Sequence, residues 1–165
     1  MQNEQRPIVV FMSSYPPREC GIATFTADLV HAIGVNTPPF DSKILALNDT
    51  ATSFYAYPKE VFLQITDADE RAYINAADII NRLQRVIAVN IQHEFGLFGG
   101  PWGSHLLGFI TRCKKPIITT FHTVLPNPDD RQRTVMQLLL KKSAQCIVMT
   151  RSAREILRSV YGATK

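Results

Sequence analysis

The apolar positions divide the chain into short continuous runs that alternate with longer amphipathic stretches. Residues 8–12 (Ile-Val-Val-Phe-Met) are unbroken and apolar, as expected of a strand buried on both faces. From Gly21 onward, Ile22, Phe25, Leu29, Val30 and Ile33 recur at helical spacing, and Gly34 is placed to close that helix. Pro38-Pro39 break the chain before a second apolar run at 43–47. Residues 48–57 are polar and turn-like, and 61–65 predict a third strand. Asp67 stands as the N-cap of an amphipathic helix through Ala72, Ile74, Ala77, Ile79, Ile80 and Leu83. A strand over 86–91 runs into a loop over 92–100, then a helix over 102–111 and a β-branched strand over 116–121. After a loop punctuated by Pro126 and Pro128, Asp129 and Asp130 open a helix that ends near Lys141-Lys142, acids first and bases last as the dipole favours. A strand over 145–150 follows, and Ser152 caps a last helix through Leu157.

Strand and helix thus alternate at βα spacing, with no internal repeat and no low-complexity linker. The economical solution is an α/β fold, a doubly wound Rossmann-like parallel sheet with helices on both faces. Strand order is not readable from the pattern. In such a sheet, ligands bind outside the carboxyl ends of the strands. The loops over 13–21, 92–100 and 121–128 all leave strand ends, so they are expected on one edge of the sheet.

Length and composition narrow the class. At 165 residues the chain fits one domain, and 45% hydrophobic with 19% charged residues describes a folded chain. The formal charge of +4 is modest. Only Lys114-Lys115, Arg131/Arg133 and Lys141-Lys142 bring basic residues close together, without interleaved aromatics, which argues against a nucleic-acid partner. Three widely spaced cysteines, Cys20, Cys113 and Cys146, argue against a disulfide framework and for a reducing compartment. The N-terminus lacks the pattern of a signal peptide, and no apolar stretch approaches the roughly 18 residues of a membrane span. The expectation is a cytoplasmic soluble domain, or part of one.

The candidate chemistry lies in the three loops. Gly21, between a strand and a helix, either lets a diphosphate approach the backbone, with the Ile22 and Ala23 amides at the helix start, or fills a turn needing positive φ. The segment has no Gly-x-Gly-x-x-Gly, which disfavours an ordinary dinucleotide site. Arg18 either bonds an anion or is solvated. His93 and Glu94 leave a buried strand in a loop holding Gly96, Gly99 and Gly100. Glu94 reads as an acceptor for sugar hydroxyls or a base, or else as a carboxylate capping the next helix or bonding loop amides. His122, at a strand end before Thr123, either meets a ligand hydroxyl or developing charge, or is a satisfied structural histidine. Tyr15, Phe95, Phe98 and Trp102 suit an apolar wall for a sugar ring, or the core. His31 and His105 read as packing or surface residues. Cys20 has no base partner fixed in the sequence. No His-Glu-x-x-His or cysteine at ligand spacing is present, so no metal is expected.

The segment Ser14-Tyr15-Pro16-Pro17-Arg18-Glu19-Cys20-Gly21-Ile22-Ala23, followed by Gln92-His93-Glu94-Phe95-Gly96 and Thr120-Phe121-His122-Thr123, resembles the N-terminal domain of retaining glycosyltransferases of family 4, which have the GT-B architecture. The resemblance covers nearly the whole chain. It implies transfer of a mannose- or glucose-type hexose from a GDP-, UDP- or ADP-linked sugar to a glycan or other hydroxyl acceptor, with no further cofactor. By position, Gly21, Ile22 and Arg18 would meet the donor diphosphate, His122 the donor sugar, and Glu94, Tyr15 and His93 the acceptor. Many family members have two glycines where this chain has Cys20-Gly21. Nothing here matches the C-terminal, donor-binding domain with its Glu-x7-Glu motif, so residues 1–165 are expected to be the acceptor-side half, inactive alone. The implied partners are the nucleotide sugar, the acceptor and that second domain. Self-association through the exposed interdomain face and peripheral attachment at the inner membrane face also follow as expectations. The alternative is a stand-alone Rossmann-like module that binds a sugar, phosphate or protein without catalysis.

Overall fold

The computed structural model describes residues 6–36, 38–49 and 54–164. The extreme N-terminus over 1–5, and residues 50–53 of the expected turn-like stretch, lie outside the described residues. Six strands form one parallel sheet: β1 Ile8–Ser13, β2 Asp41–Asn48, β3 Val61–Thr66, β4 Val86–His93, β5 Ile117–Phe121 and β6 Gln145–Val148. Among the described residues the helices are α1 Gly21–Val35, α2 Glu70–Arg82, α3 Leu106–Arg112, α4 Asp130–Lys142 and α5 Arg151–Tyr161, with a 3₁₀ turn at Pro101–Gly103. Strand order is β3-β2-β1-β4-β5-β6. The α/β, Rossmann-like sheet flanked by helices is therefore present, and the chain reverses its direction of travel between β1 and β4.

Two apolar clusters hold the layers together. On one face α1 lays Leu29, Val30 and Ile33 over Phe11, Tyr15, Ile44 and Ala46. On the other, Val10, Met12, Val89 and Ile91 meet Tyr73 and Ile80 of α2, Leu106 and Phe109 of α3, Met136 and Leu139 of α4, and Leu157 and Tyr161 of α5. Register explains the sorting: Phe11 pairs with Asn90 and Met12 with Ile91, and alternate residues take opposite faces. Each fully buried side chain of this size contributes about 1.5–3 kcal/mol. The outer strand β6 leaves Ile147 about half exposed, as is Met149 just beyond its end.

Several boundaries differ from the sequence pattern. Asp69 caps α2, accepting from the amides of Arg71 and Ala72, while Asp67 lies in the loop before it. Thr150 rather than Ser152 caps α5, and Asn36 rather than Gly34 closes α1. The expected helix over 102–111 is split, because Trp102 at φ 57 interrupts it and α3 starts only at Leu106. Asp129 and Gln132 make a reciprocal capping box at the start of α4.

Candidate functional site

The carboxyl ends of all six strands share one edge. At the reversal between β1 and β4, the following loops lead to opposite faces, which opens a crevice there. The loops after β1, β4 and β5 meet on this edge.

The first loop, residues 14–20, is pinned from below. Ser13 Oγ and Thr26 Oγ1 share a 2.7 Å hydrogen bond, and Thr26 also donates to the Ile22 carbonyl. Cys20 is the N-cap: its sulfur accepts from the Ala23 amide at 3.4 Å and lies 2.9 Å from Ser14 Oγ. A thiol here occupies the position that Ser or Asp commonly holds. The amides of Gly21 and Ile22 have no acceptor among the described residues, as first-turn amides lack intrahelical partners. Gly21 does not have positive φ, and a Cβ built on it meets nothing within 4 Å. A turn requirement therefore does not account for this glycine, whereas open space over its backbone does suit close approach of a ligand.

The loop after β5 carries His122. Its amide donates to the His93 carbonyl, continuing the β4–β5 pairing by one residue. Gln92, fully buried, donates its amide nitrogen to Asn90 Oδ1 at 2.5 Å, so its Oε1 faces the imidazole and accepts from His122 Nε2 at 2.8 Å. That bond fixes the tautomer: Nε2 carries the proton and Nδ1 keeps a lone pair. Among the described residues Nδ1 has no hydrogen-bond partner. Burial lowers the His122 pKa below the ordinary histidine value, opposed by the charge of Glu94, so the ring is neutral near pH 7. Phe25 of α1 packs edge-on against the ring at 4.8 Å, which joins the α1 start to the β5 loop.

Glu94 links the other two loops. Its Oε2 accepts from the Thr123 hydroxyl at 2.5 Å and its Oε1 from the Phe95 amide at 3.0 Å. The loop-bonding role anticipated for this carboxylate is present, and each oxygen retains a further lone pair for a ligand hydroxyl.

Other candidates lie elsewhere. His93 is not in the loop: β4 continues two residues beyond the expected end at Ile91, and strand alternation turns His93 inward with Val89 and Ile91. It is completely buried, stacked on Phe98 and edge-on to Phe95 and Phe121, with both ring nitrogens unpartnered. Tyr15 is likewise a core residue, packed with Phe11 and Ile44, and burial raises its pKa ahead of the charge of Glu60. Arg18 donates to the Leu47 carbonyl at 2.8 Å, on the β2 side of β1 and away from β4. The structure therefore links the start of α1 to His122 through Phe25, and the β5 loop to Glu94 through Thr123, while Arg18 turns toward β2.

Asn90 has no place in the sequence reading, Gln92 enters it only within the family motif, and Phe25 and Asp67 enter it as a helix-face residue and a cap rather than as site residues. Polar Asn90 and Gln92 inside an apolar strand were the available signal, since a buried amide must find partners. Asp67 closes the edge from β3: its carbonyl lies 3.0 Å from His105 Nδ1, and burial raises the pKa of its carboxyl, partly offset by Arg18.

Burial, with His122 as a lesser cause, pushes the His93 pKa down to about 3, against about 6.5 unfolded. Between those values the unfolded chain binds the extra proton. His93 therefore costs no stability from charging above about pH 6.5, and it removes up to about 1.4 kcal/mol per pH unit as pH falls toward 3. His93→Phe is expected to raise the unfolding free energy by about 1–2 kcal/mol at pH 7, by deleting two unpartnered buried nitrogens. It should also flatten the acid limb of denaturant melts taken from pH 7 to pH 4. An unchanged acid limb would show that His93 is not what protonates.

Among known protein families no family model matches the chain, and no curated protein matches it. Among the described residues no cluster of His, Cys, Asp and Glu is arranged to hold a metal, and no helix is long and apolar enough to cross a membrane.

Proposed function

We propose that this chain is the acceptor-side domain of a retaining, family 4-like glycosyltransferase. In that reading it transfers a mannose- or glucose-type hexose from a nucleotide sugar to a hydroxyl acceptor, together with a donor-binding domain. The observation that carries the reading is the contact of His122 with Phe25. It sets a neutral, tautomer-fixed imidazole beside the open N-terminus of α1, two groups suited to a sugar and its diphosphate respectively. The free Gly21 and Ile22 amides and the helix dipole suit the diphosphate. His122 Nδ1 suits a hydrogen bond from a hydroxyl of the transferring sugar, and Glu94 with Thr123 suits the acceptor. Such a half-site works by positioning and by fixed dipoles, so transfer needs the second wall of the cleft. A cytoplasmic location belongs to the same proposal.

The test is Gly21→Ala. Its Cβ enters open space at the first position of α1, so stability should hold or rise by about 0.5 kcal/mol. Binding of pyrophosphate, followed by amide chemical shifts, should weaken at least about tenfold as the methyl blocks approach to the amides. Equal binding by the variant would remove the diphosphate from this position, and with it the main support for a nucleotide-sugar enzyme.

A further inference from the structure

Trp102 is the chain's one tryptophan, and it combines two unfavourable features. It is the one non-glycine residue with positive φ among those described, at φ 57 and ψ 32. It is also 42% exposed, so much of the indole is left in water. An L residue in this conformation is disfavoured by contact of its Cβ with the backbone, and such residues persist where the surroundings over-determine them. The surroundings here do so. Gly99, Gly100 and Gly103 all have positive φ, and a Cβ on Gly103 would come within 3.1 Å of the Phe95 carbonyl. The backbone is thus folded tightly onto the segment that follows Glu94, and the indole meets Phe95 edge-on at 6.3 Å. A loop seeking only stability would place glycine or asparagine at position 102.

We propose that Trp102 is the stacking platform for a pyranose ring of the acceptor. The inference rests on the glycosyltransferase reading and names the acceptor class for the same crevice. An aromatic face attracts the polarised C–H bonds on one side of a pyranose, while the ring's hydroxyls need acceptors at its rim. Glu94, one residue before the Phe95 that props the indole, supplies a carboxylate with spare lone pairs, and Thr123 supplies a hydroxyl. Charge selects the occupant. A carboxylate wall opposes a phosphorylated ligand and suits a neutral, hydroxyl-rich one, so this subsite takes an uncharged hexopyranoside, while the phosphates lie at α1.

The lone tryptophan makes the test direct. Titrating the chain with methyl α-D-mannopyranoside and methyl α-D-glucopyranoside should change the tryptophan emission saturably in the millimolar range. Two variants, followed by amide chemical shifts, separate folding from binding. Trp102→Gly relieves the backbone, so its thermal midpoint should rise while glycoside binding weakens at least about tenfold, the scale of a lost aromatic stack. Trp102→Phe should keep part of the binding. An unsaturable emission change, or full glycoside binding by Trp102→Gly, would overturn the proposal. Pyrophosphate binding measured on the same samples keeps the two readings apart. Pyrophosphate bound at Gly21 without glycoside at Trp102 defeats only this inference. Glycoside bound at Trp102 without pyrophosphate upholds the sugar platform and defeats the nucleotide-sugar reading.

Discussion

If the proposed glycosyltransferase reading holds, replacing His122 with alanine lowers hexosyl transfer by about 10²–10⁴-fold in a protein that joins this domain to a donor-binding domain. The fold should survive, because His122 is half-buried in a loop and its loss leaves one buried acceptor, Gln92 Oε1, without its partner. The effect should fall on turnover more than on donor binding, since the proposal sets the imidazole against the transferring sugar and the diphosphate at the start of α1. Gln92→Met provides the matching control. It leaves the ring but releases its tautomer, so an intermediate loss is expected, with a shifted pH profile that a purely structural role would not produce. Steady-state kinetics of both variants, with circular dichroism to verify folding, would decide it. Unchanged turnover in His122→Ala would take the imidazole out of the reaction.

The largest stability effect is expected at Gly99. Its φ is +63, and a Cβ there would lie 1.9 Å from the Asp67 carbonyl oxygen and 2.7 Å from the carbonyl carbon, both backbone atoms that cannot swing aside. Gly99→Ala should therefore cost about 4 kcal/mol, near the upper end for single substitutions and a large part of a typical domain's stability. The damage would be local in origin: the loops after β3 and β4 touch here, joined by His105 to the Asp67 carbonyl and by the Tyr73 hydroxyl to the Phe98 carbonyl at 2.7 Å. Gly34→Ala is the comparison, because Gly34 has open space around it and ordinary φ, and alanine there should be neutral or stabilising. Denaturant melts of the two variants measure the contrast. A loss below about 1 kcal/mol at Gly99 would mean that the loops yield easily and do not shape the crevice.

The alternation of apolar runs and helical periodicity was enough to read every strand and the α/β class, because strands buried on both faces have a pattern that few other structures share. Convergence of the three loops followed from the class alone. What stayed hidden depended on partners distant in sequence. Asp67 looked like a cap because Asp67 and Asp69 are chemically equal candidates, and the choice rests on where β3 ends. His93 looked like a loop residue because histidine is polar, whereas β4 carries it inward to an aromatic cluster formed by Phe95, Phe98 and Phe121. Tyr15 reads as a loop residue for a similar reason, yet it packs beneath α1. The Gln92–His122 bond joins residues thirty positions apart, and only the β4–β5 register brings them together.

The measurement that tests the central claim most directly is a residue-resolved titration of the chain with GDP-mannose and UDP-glucose, observing the amides of Gly21 and Ile22 and the ring protons of His122. The account predicts that at least one donor shifts all three groups together, with millimolar affinity, and that Gly21→Ala abolishes the response at His122 as well as at position 21. Shifts confined to other parts of the sheet edge, or no shift at these residues at millimolar donor, would contradict it.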